Sequence, residues 1–324
     1  MVNVGVVGCG GIAGAHLPGL KKNPDVKVVA MADINESIGK KTAQEFGAKF
    51  YSDYRKLADE DIEAVFLFPR PVPRVEMCVF FAKQGVHIFS EKPIAIDLRS
   101  AGRIVNAVEK SGVKFMVGFV LHFFPAFRKL HELQTSGQLG ELTTCWTRRI
   151  WYFRGLKDVW YSDPAQSGGM AIDYFGHDID WLRWTGGEVE SIYGRTATVT
   201  EGLRCEDNVW AVATFETGGF GVIGGSWSSR MGDCSVGIIG TKGTAAINGD
   251  ELRMQREGDK EPVVVPYETF NAMEAEDKHF IECLKTGARP EMDVMDGYRS
   301  LELGLAIQRS SAKNKVLNVL PGRD

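Results

Sequence analysis

The chain has 324 residues, enough for two domains, and its 44% hydrophobic and 25% charged residues are typical of a water-soluble globular protein. A net charge of −4 with scattered lysines and arginines excludes the basic surface that nucleic acids or anionic lipids need. Six cysteines occur singly, which predicts reduced thiols and no disulfide framework. No segment resembles a signal peptide or a membrane helix, so we expect a cytoplasmic protein.

Residues 1–120 alternate strand-like and helix-like segments, which predicts an α/β domain with a doubly wound parallel sheet. The predicted segments are, in chain order, 4–7, 13–22, 26–32, 36–46, 64–68, 74–84, 86–89, 98–110 and 113–117. Residues 121–324 change character and predict an α+β domain with a large, mostly antiparallel open sheet. Its predicted helices and extended runs are 125–134, 141–153, 163–185, 189–200, 207–216, 219–228, 234–240, 274–286 and 297–312, the last of which can pack back on the first domain.

A glycine-rich turn joins the first predicted strand to the first helix. It reads Gly8, Cys9, Gly10, Gly11, Ile12, Ala13. Gly8 permits a tight turn, Gly10 lets the backbone approach a pyrophosphate, and Ala13 still allows close packing of helix on strand. Because the helix N-terminus then faces the phosphates, the turn predicts a Rossmann-type dinucleotide site, with a purely structural turn as the alternative.

Asp33 ends the second predicted strand, twenty residues after Ala13. A carboxylate at this place binds the two ribose hydroxyls of NAD and repels the 2′-phosphate of NADP. Its neighbours Ile34 and Asn35 carry no positive charge that would offset the repulsion. The sequence therefore favours NAD, with NADP a less favoured possibility.

Two further groups of residues offer acid–base chemistry. Lys92, within Glu91-Lys92-Pro93, follows a strand whose carboxyl end is where ligands bind in such sheets, although a surface turn is the alternative. Asp173 and His177 are four residues apart, so on a helix they would share one face and could hydrogen-bond. An imidazole can take up the proton that an alcohol releases on oxidation. A capping aspartate and a half-buried histidine are the alternative.

These stretches resemble the Gfo/Idh/MocA family, which includes glucose–fructose oxidoreductase and inositol dehydrogenase. The stretches that carry the resemblance are 8–13, 85–93, 168–180 and 296–301. The resemblance implies a Rossmann domain followed by a substrate domain whose open sheet forms a homodimer or homotetramer. It also implies that a secondary hydroxyl of a sugar, cyclitol or related polyol is oxidised with NAD. In that reaction His177 is the base, Asp173 its partner and Lys92 a donor to the reacting oxygen.

The chain departs from the family pattern in two places. Relatives usually have Thr-Pro-Asn where this chain has Phe68-Pro69-Arg70-Pro71, a loop that flanks the cofactor, so either Arg70 reaches a phosphate or ribose or the site is altered. The expected cofactor residues therefore include Pro69 and Arg70 of this loop, together with Glu91 and Lys92. The stretch 118–125 is apolar apart from His122, so either the substrate is less polar than an inositol or the polar contacts come from elsewhere.

Four residues are weaker candidates for substrate contacts; the alternative is core packing for the two aromatic residues and a capping contact for the aspartate. They are His122, Tyr152, Trp160 and Asp180. The six histidines are not spaced in the sequence as metal ligands usually are, so no metal site is predicted. Two other functions stay open. One is an enzyme that retains NAD and uses transient oxidation for elimination, epimerisation or glycoside cleavage, and the other is a non-catalytic sensor of a nucleotide or sugar.

Overall fold

The computed structural model describes residues 1–320, which form two compact units. The first comprises Met1–Val120 and Asn271–Arg299, and the second comprises Leu121–Phe270 and residues 300–320. The segment Asn271–Arg299 departs from the division made on the sequence, which gives all of 121–324 to the second domain. Its helix packs on the first helix of the chain, where Asp277 hydrogen-bonds the buried His16.

The first unit contains a six-stranded sheet with helices. Its strands are β1 (Val2–Val7), β2 (Val26–Ala32), β3 (Lys49–Tyr51), β4 (Ala64–Leu67), β5 (His87–Glu91) and β6 (Phe115–Gly118). Its helices are α1 (Ala13–Lys22), α2 (Glu36–Phe46), α3 (Pro71–Lys83), α4 (Leu98–Ser111) and, from the later segment, α8 (Ala272–Thr286). The strand order is β3-β2-β1-β4-β5-β6 and every pairing is parallel, which confirms the predicted doubly wound sheet.

The order of the strands fixes the position of a binding site. The chain proceeds from β1 outwards through β2 and β3, then returns to the other side of β1 with β4. Ligands of open parallel sheets bind at this switch point, beyond the carboxyl ends of the strands. The loops that follow β1, β2, β4 and β5 meet there. β4 is buried along its whole length, as expected for a strand covered on both faces.

The second unit contains a nine-stranded sheet. Its strands are β7 (Leu142–Tyr152), β8 (Val189–Ala197), β9 (Asn208–Phe215), β10 (Phe220–Ser226), β11 (Ser228–Gly240), β12 (Gly243–Asn248), β13 (Glu251–Arg256), β14 (Val263–Val264) and β15 (Leu317–Asn318). Its helices are α5 (Pro125–Thr135), α6 (Pro164–Ser167), α7 (Gly176–Gly186) and most of α9 (Val294–Lys313). The order is β14-β13-β12-β11-β7-β10-β9-β8-β15, and only β7 and β10 pair in parallel, which confirms the mostly antiparallel prediction.

The two faces of this sheet differ. On one face, a side chain at Gly221 or Gly225 would collide with Leu182 or Phe175, so α7 and the turn before it lie directly on the strands. The opposite face carries exposed apolar side chains on β9 and β10, among them Val212, which is 44% exposed. We call this second surface, which includes Trp210, Val212 and Phe220, the open face.

The helical prediction over 163–185 is only partly right. The chain forms the short α6, a series of turns over 168–175 and then α7, because Gly168 and Gly169 adopt positive φ values of 80° and 96° that end a helix. Among residues 1–320, no helix is both long and apolar enough to cross a membrane.

Candidate active site

The turn after β1 requires glycine at its first position. Gly8 has φ 84°, in the left-handed region that other residues avoid, and its N–H donates to the carbonyl of Ala32 at 2.8 Å. A Cβ built on Gly8 would lie 3.1 Å from the backbone nitrogen of Pro69. The turn is therefore pressed against the loop that follows β4, which places Pro69 at the same edge of the sheet.

The rest of the turn faces open space. A Cβ on Gly10 or Gly11 would meet no atom within 4 Å, and both residues are exposed, as is Ile12. Ala13, by contrast, is fully buried at the start of α1 and packs the helix on the sheet. The exposed backbone at the N-terminus of α1 thus offers the kind of surface on which a pyrophosphate fits.

Asp33 is fixed beside this turn by two backbone hydrogen bonds. Its Oδ2 accepts from the N–H of Cys9 at 2.6 Å, and its Oδ1 accepts from the N–H of Asn35 at 2.7 Å. Each carboxylate oxygen keeps a lone pair, and the side chain is half-buried, so it can accept from ribose hydroxyls. The glycine turn therefore fits the pyrophosphate of NAD, and Asp33 fits the hydroxyls of a ribose of NAD.

The Glu91-Lys92-Pro93 loop begins at the end of β5. Glu91 is buried, and its Oε2 accepts from the backbone N–H of Lys92 at 3.1 Å. The Lys92–Pro93 peptide bond is cis, and the Lys92 side chain is half-buried. Since β4 and β5 pair in parallel, the Lys92 loop leaves the sheet beside the Pro69 loop. Arg70, which precedes α3, is exposed in that neighbouring loop.

His16 and the acids around it are the part of the site that sequence reasoning missed. His16 is fully buried on α1, with Nε2 3.1 Å from Glu91 Oε1 and Nδ1 2.7 Å from Asp277 Oδ1. Burial disfavours a charged ring, but the hydrogen bonds to Asp277 and Glu91 outweigh it and raise the pKa of His16 to about 10. Burial in turn raises the pKa of Asp277 to about 6. The cluster therefore holds Glu91 through a charged imidazole.

Among the described residues, ligand atoms of His16, Glu91 and the buried Glu276 lie within 4.8 Å of one another, a spacing that a metal ion could span. Both ring nitrogens of His16 already face carboxylate oxygens at hydrogen-bond distance. Such an arrangement favours a shared proton, since a metal would have to displace Glu91 from Nε2. The absence of a metal remains a prediction.

Asp173 and His177 lie at the start of α7. His177 is in the first turn of the helix, whereas Asp173 precedes it in a turn, where its N–H donates to the carbonyl of Gly169 at 2.9 Å. The spacing predicts that the two residues share one face of a helix. In the structure they do not lie on one regular helix, because Asp173 precedes α7. Both are half-buried. The charge of Asp173 contributes, after burial, to raising the pKa of Tyr161, which places that phenol near Asp173.

Buried polar contacts hold this segment. Arg149 on β7 donates to the Tyr174 carbonyl at 3.0 Å and forms an ion pair with the buried Asp178. Burial raises the pKa of Asp178 despite the guanidinium beside it. The preceding turn is fixed by Gln308, whose amide donates to the carbonyl of Gly168 at 2.7 Å. These contacts join distant parts of the chain, so no local pattern could have shown them.

The four weaker substrate candidates occupy different surroundings. His122 and Asp180 form a buried pair with 2.7 Å between Nε2 and Oδ2, and the His122 ring stacks on Trp184 at 4.0 Å between centroids. Tyr152 is 45% exposed at the end of β7, with Arg230 over its ring. Trp160 is half-buried in a short helical turn beside Tyr161. His122 and Asp180 thus satisfy each other, and Tyr152 is the most accessible of the four.

A glycine turn at the switch point of a parallel sheet, with an acid at the end of the second strand, defines a Rossmann-fold protein that binds NAD. Residues 2–119 match the model of an oxidoreductase family with an NAD-binding Rossmann fold, and residues 127–246 match the GFO/IDH/MocA C-terminal domain. The chain belongs to the Gfo/Idh/MocA family of oxidoreductases.

Similar proteins cover nearly the whole chain. The scyllo-inositol 2-dehydrogenase (NAD⁺) of Bacillus subtilis is 27% identical, over 95% of this chain and 94% of its own. The myo-inositol 2-dehydrogenase of Thermotoga maritima is also 27% identical, over 95% of this chain and 96% of its own. An oxidoreductase from Agrobacterium radiobacter, solved with NAD⁺, L-tartaric acid and magnesium, shares the fold with a TM-score of 0.88 at 18% identity and 98% coverage of both chains.

Proposed function

We propose that this protein is an NAD-dependent dehydrogenase that oxidises a secondary hydroxyl of a sugar, cyclitol or related polyol to a ketone. The observation that carries the proposal is the anchored Asp33 carboxylate beside an open glycine turn, in a chain of an oxidoreductase family. The inositol dehydrogenases among its relatives support the substrate class.

The residues that hold the cofactor belong to the first unit. Gly10, Gly11 and Ile12 offer exposed backbone to the pyrophosphate, and Asp33 accepts from the adenosine ribose hydroxyls. Pro69 and Arg70 border the same edge of the sheet, where the Arg70 guanidinium is able to contact a phosphate. Bound NAD would supply the acceptor for the hydride that leaves the substrate carbon.

The residues that act on the substrate are Lys92, Asp173 and His177. An imidazole nitrogen of His177 takes the hydroxyl proton as the carbonyl forms, and the Asp173 carboxylate stabilises the resulting imidazolium. The Lys92 ammonium donates a hydrogen bond to the substrate oxygen, which stabilises negative charge that develops there. Tyr152, Trp160 and the His122–Asp180 pair are secondary candidates for substrate contacts. The open face of the second unit joins copies of the chain into a dimer or tetramer.

Calorimetric titration of NAD and NADP into the purified protein tests the cofactor assignment. We expect NAD to bind more tightly than NADP. Asp33→Ala should weaken NAD binding and reduce the preference for NAD, because the ribose acceptor and the repulsion of the 2′-phosphate disappear together. Asp53→Ala, which removes an exposed capping carboxylate of the same unit, should leave both affinities unchanged. Absence of NAD binding would count decisively against the proposal.

An assay of NAD reduction across a panel of polyols tests the chemistry. His177→Ala should lower kcat by about 10²–10⁴-fold, the usual contribution of a general base, while NAD affinity stays the same. Turnover with retained NAD and no net NADH would instead indicate elimination or epimerisation. The sensor alternative predicts two results together: no polyol of the panel reacts, and Lys92→Ala leaves the cellular response to the nucleotide or sugar unchanged.

A further inference from the structure

Arg74 is a buried cation with an unusual environment. It lies near the start of α3 and is only 2% exposed. Burial of a guanidinium is costly, and the dipole of the helix disfavours a positive charge at its N-terminus. Both its burial and its position in α3 are therefore unfavourable for an arginine, so stabilisation of the helix does not explain why arginine occurs here. The explanation lies in what its terminal nitrogens bind.

The guanidinium of Arg74 bridges two loops. Nη1 donates to the carbonyl of Pro69 at 2.6 Å, and Nη2 donates to the carbonyl of Pro93. Pro69 follows β4 and packs against Gly8 of the glycine turn, whereas Pro93 directly follows Lys92 after β5. One side chain thus connects the loop beside the pyrophosphate site with the loop that carries Lys92.

The backbone of these two loops has few N–H donors that could form hydrogen bonds between them. Proline has no N–H, and prolines occupy positions 69, 71, 73 and 93. Pro93 is buried, so its carbonyl needs a donor from elsewhere. Arg74 supplies that donor in a rigid planar fork, which sets the spacing of the two carbonyls. Its charge also contributes, after His16 and Lys92, to lowering the pKa of Glu91 against the effect of burial.

We propose that Arg74 is a positioning residue for the proposed dehydrogenase reaction, which holds the Lys92 loop in register with the glycine turn and the Pro69 loop. The inference rests on the proposed function, because Lys92 matters only if it contacts the reacting oxygen. Arg74 itself touches backbone carbonyls and acts through the loops that it joins.

The test uses Arg74→Ala and Arg74→Lys in the full-length protein. Arg103→Ala is the matched control, because Arg103 binds Glu76 of the same α3 through an exposed ion pair. We expect Arg74→Ala to lower kcat by about 100-fold, the cost of a small misplacement of catalytic groups, and to weaken NAD binding measured by calorimetry. Arg74→Lys should be intermediate, since one ammonium cannot span both carbonyls. Added guanidinium at concentrations that leave the wild type folded should restore part of the kcat of Arg74→Ala.

The outcomes separate the two proposals. If wild-type protein neither binds NAD nor oxidises any polyol, the proposed function fails first. If the wild type is active and folded Arg74→Ala keeps the wild-type kcat and NAD affinity, the positioning role is overturned. A lowered melting temperature with unchanged kcat and no response to guanidinium would also overturn it and leave Arg74 a purely structural residue. If Arg74→Ala does not fold, the kcat and NAD affinity of Arg74→Lys decide in the same way.

Discussion

His16 shows how a single side chain can carry a charge in the interior of the first unit. Its ring lies between Glu91 and Asp277, and its raised pKa means that it is protonated at neutral pH. Each unit by which folding raises a pKa is worth about 1.4 kcal/mol of linkage between protonation and stability. Protonation of His16 therefore stabilises the folded unit at neutral pH.

The pH dependence of unfolding tests this contribution. Because the folded-state pKa of His16 lies near 10 and its ordinary value is 6.5, its contribution is complete below about pH 6.5 and is lost as the pH rises through 10. The melting temperature of the wild type should thus exceed that of His16→Gln most at pH 6.5, and the difference should shrink towards pH 10. His87→Gln, a control on β5 whose pKa burial lowers, should show no such trend above pH 7. A difference independent of pH would mean that His16 is neutral.

At the scale of elements, the turn between β1 and α1 contains one glycine that the fold requires and another that the fold does not require. Gly8 has a positive φ and lies against Pro69, whereas Gly10 has neither constraint. Gly8 is therefore needed for the backbone conformation of the turn. Gly10 is expected instead to leave room for the cofactor.

Alanine at each glycine distinguishes those purposes. Gly8→Ala should cost about 1–2 kcal/mol for the left-handed backbone, with more from contact with Pro69, and should also weaken NAD binding. Gly10→Ala should leave the melting temperature unchanged and weaken NAD binding alone, because the methyl group would occupy the space of the pyrophosphate. Thermal unfolding and calorimetry on both variants measure these effects. Equal stability losses at the two positions would contradict the assignment.

The elements predicted from sequence were those with local signals. The segments 13–22, 26–32 and 36–46 agree with α1, β2 and α2 to the residue, because apolar periodicity and the capping Asn35 and Gly47 act over a few positions. Short β3 was missed, since its three residues have too little pattern. The turns over 168–175 were read as helix because positive φ at two glycines overrides the periodicity.

The site shows the same limit. The positions of Gly8, Asp33 and Lys92 followed from motif spacing at the ends of strands. The pairs His16–Asp277 and Arg149–Asp178, and the bridge made by Arg74, could not be predicted, because each depends on which elements pack together.

At the scale of the whole molecule, the proposed assembly would use the open face of the second unit. On β9 and its neighbours Val212 lies opposite Val222 and Tyr193, and Trp210 packs over Gly224 of β10. Exposed apolar residues in a continuous patch on a sheet are typical of an interface between copies.

A charge placed in this patch tests the proposed assembly. Val212→Lys should reduce the mass measured by light scattering to that of a single chain, because a buried ammonium without a partner is costly. Ile38→Lys is the matched control, since Ile38 on α2 is likewise 44% exposed but lies in the first unit. An unchanged mass for Val212→Lys would show that the open face is not the interface.

The interrupted first unit has a consequence for synthesis of the protein. The contact between His16 and Asp277 joins residues 261 positions apart, so the ribosome must make almost the entire second unit before α8 is available to α1. At translation rates of about 5–20 residues per second, synthesis of these 261 residues takes roughly 13–52 s, during which α1 stays uncovered. During that interval the His16 imidazole lacks one of its two carboxylates, because Asp277 has not yet been made. The cofactor-binding half of this enzyme, although it begins the chain, is thus among the last parts to be completed.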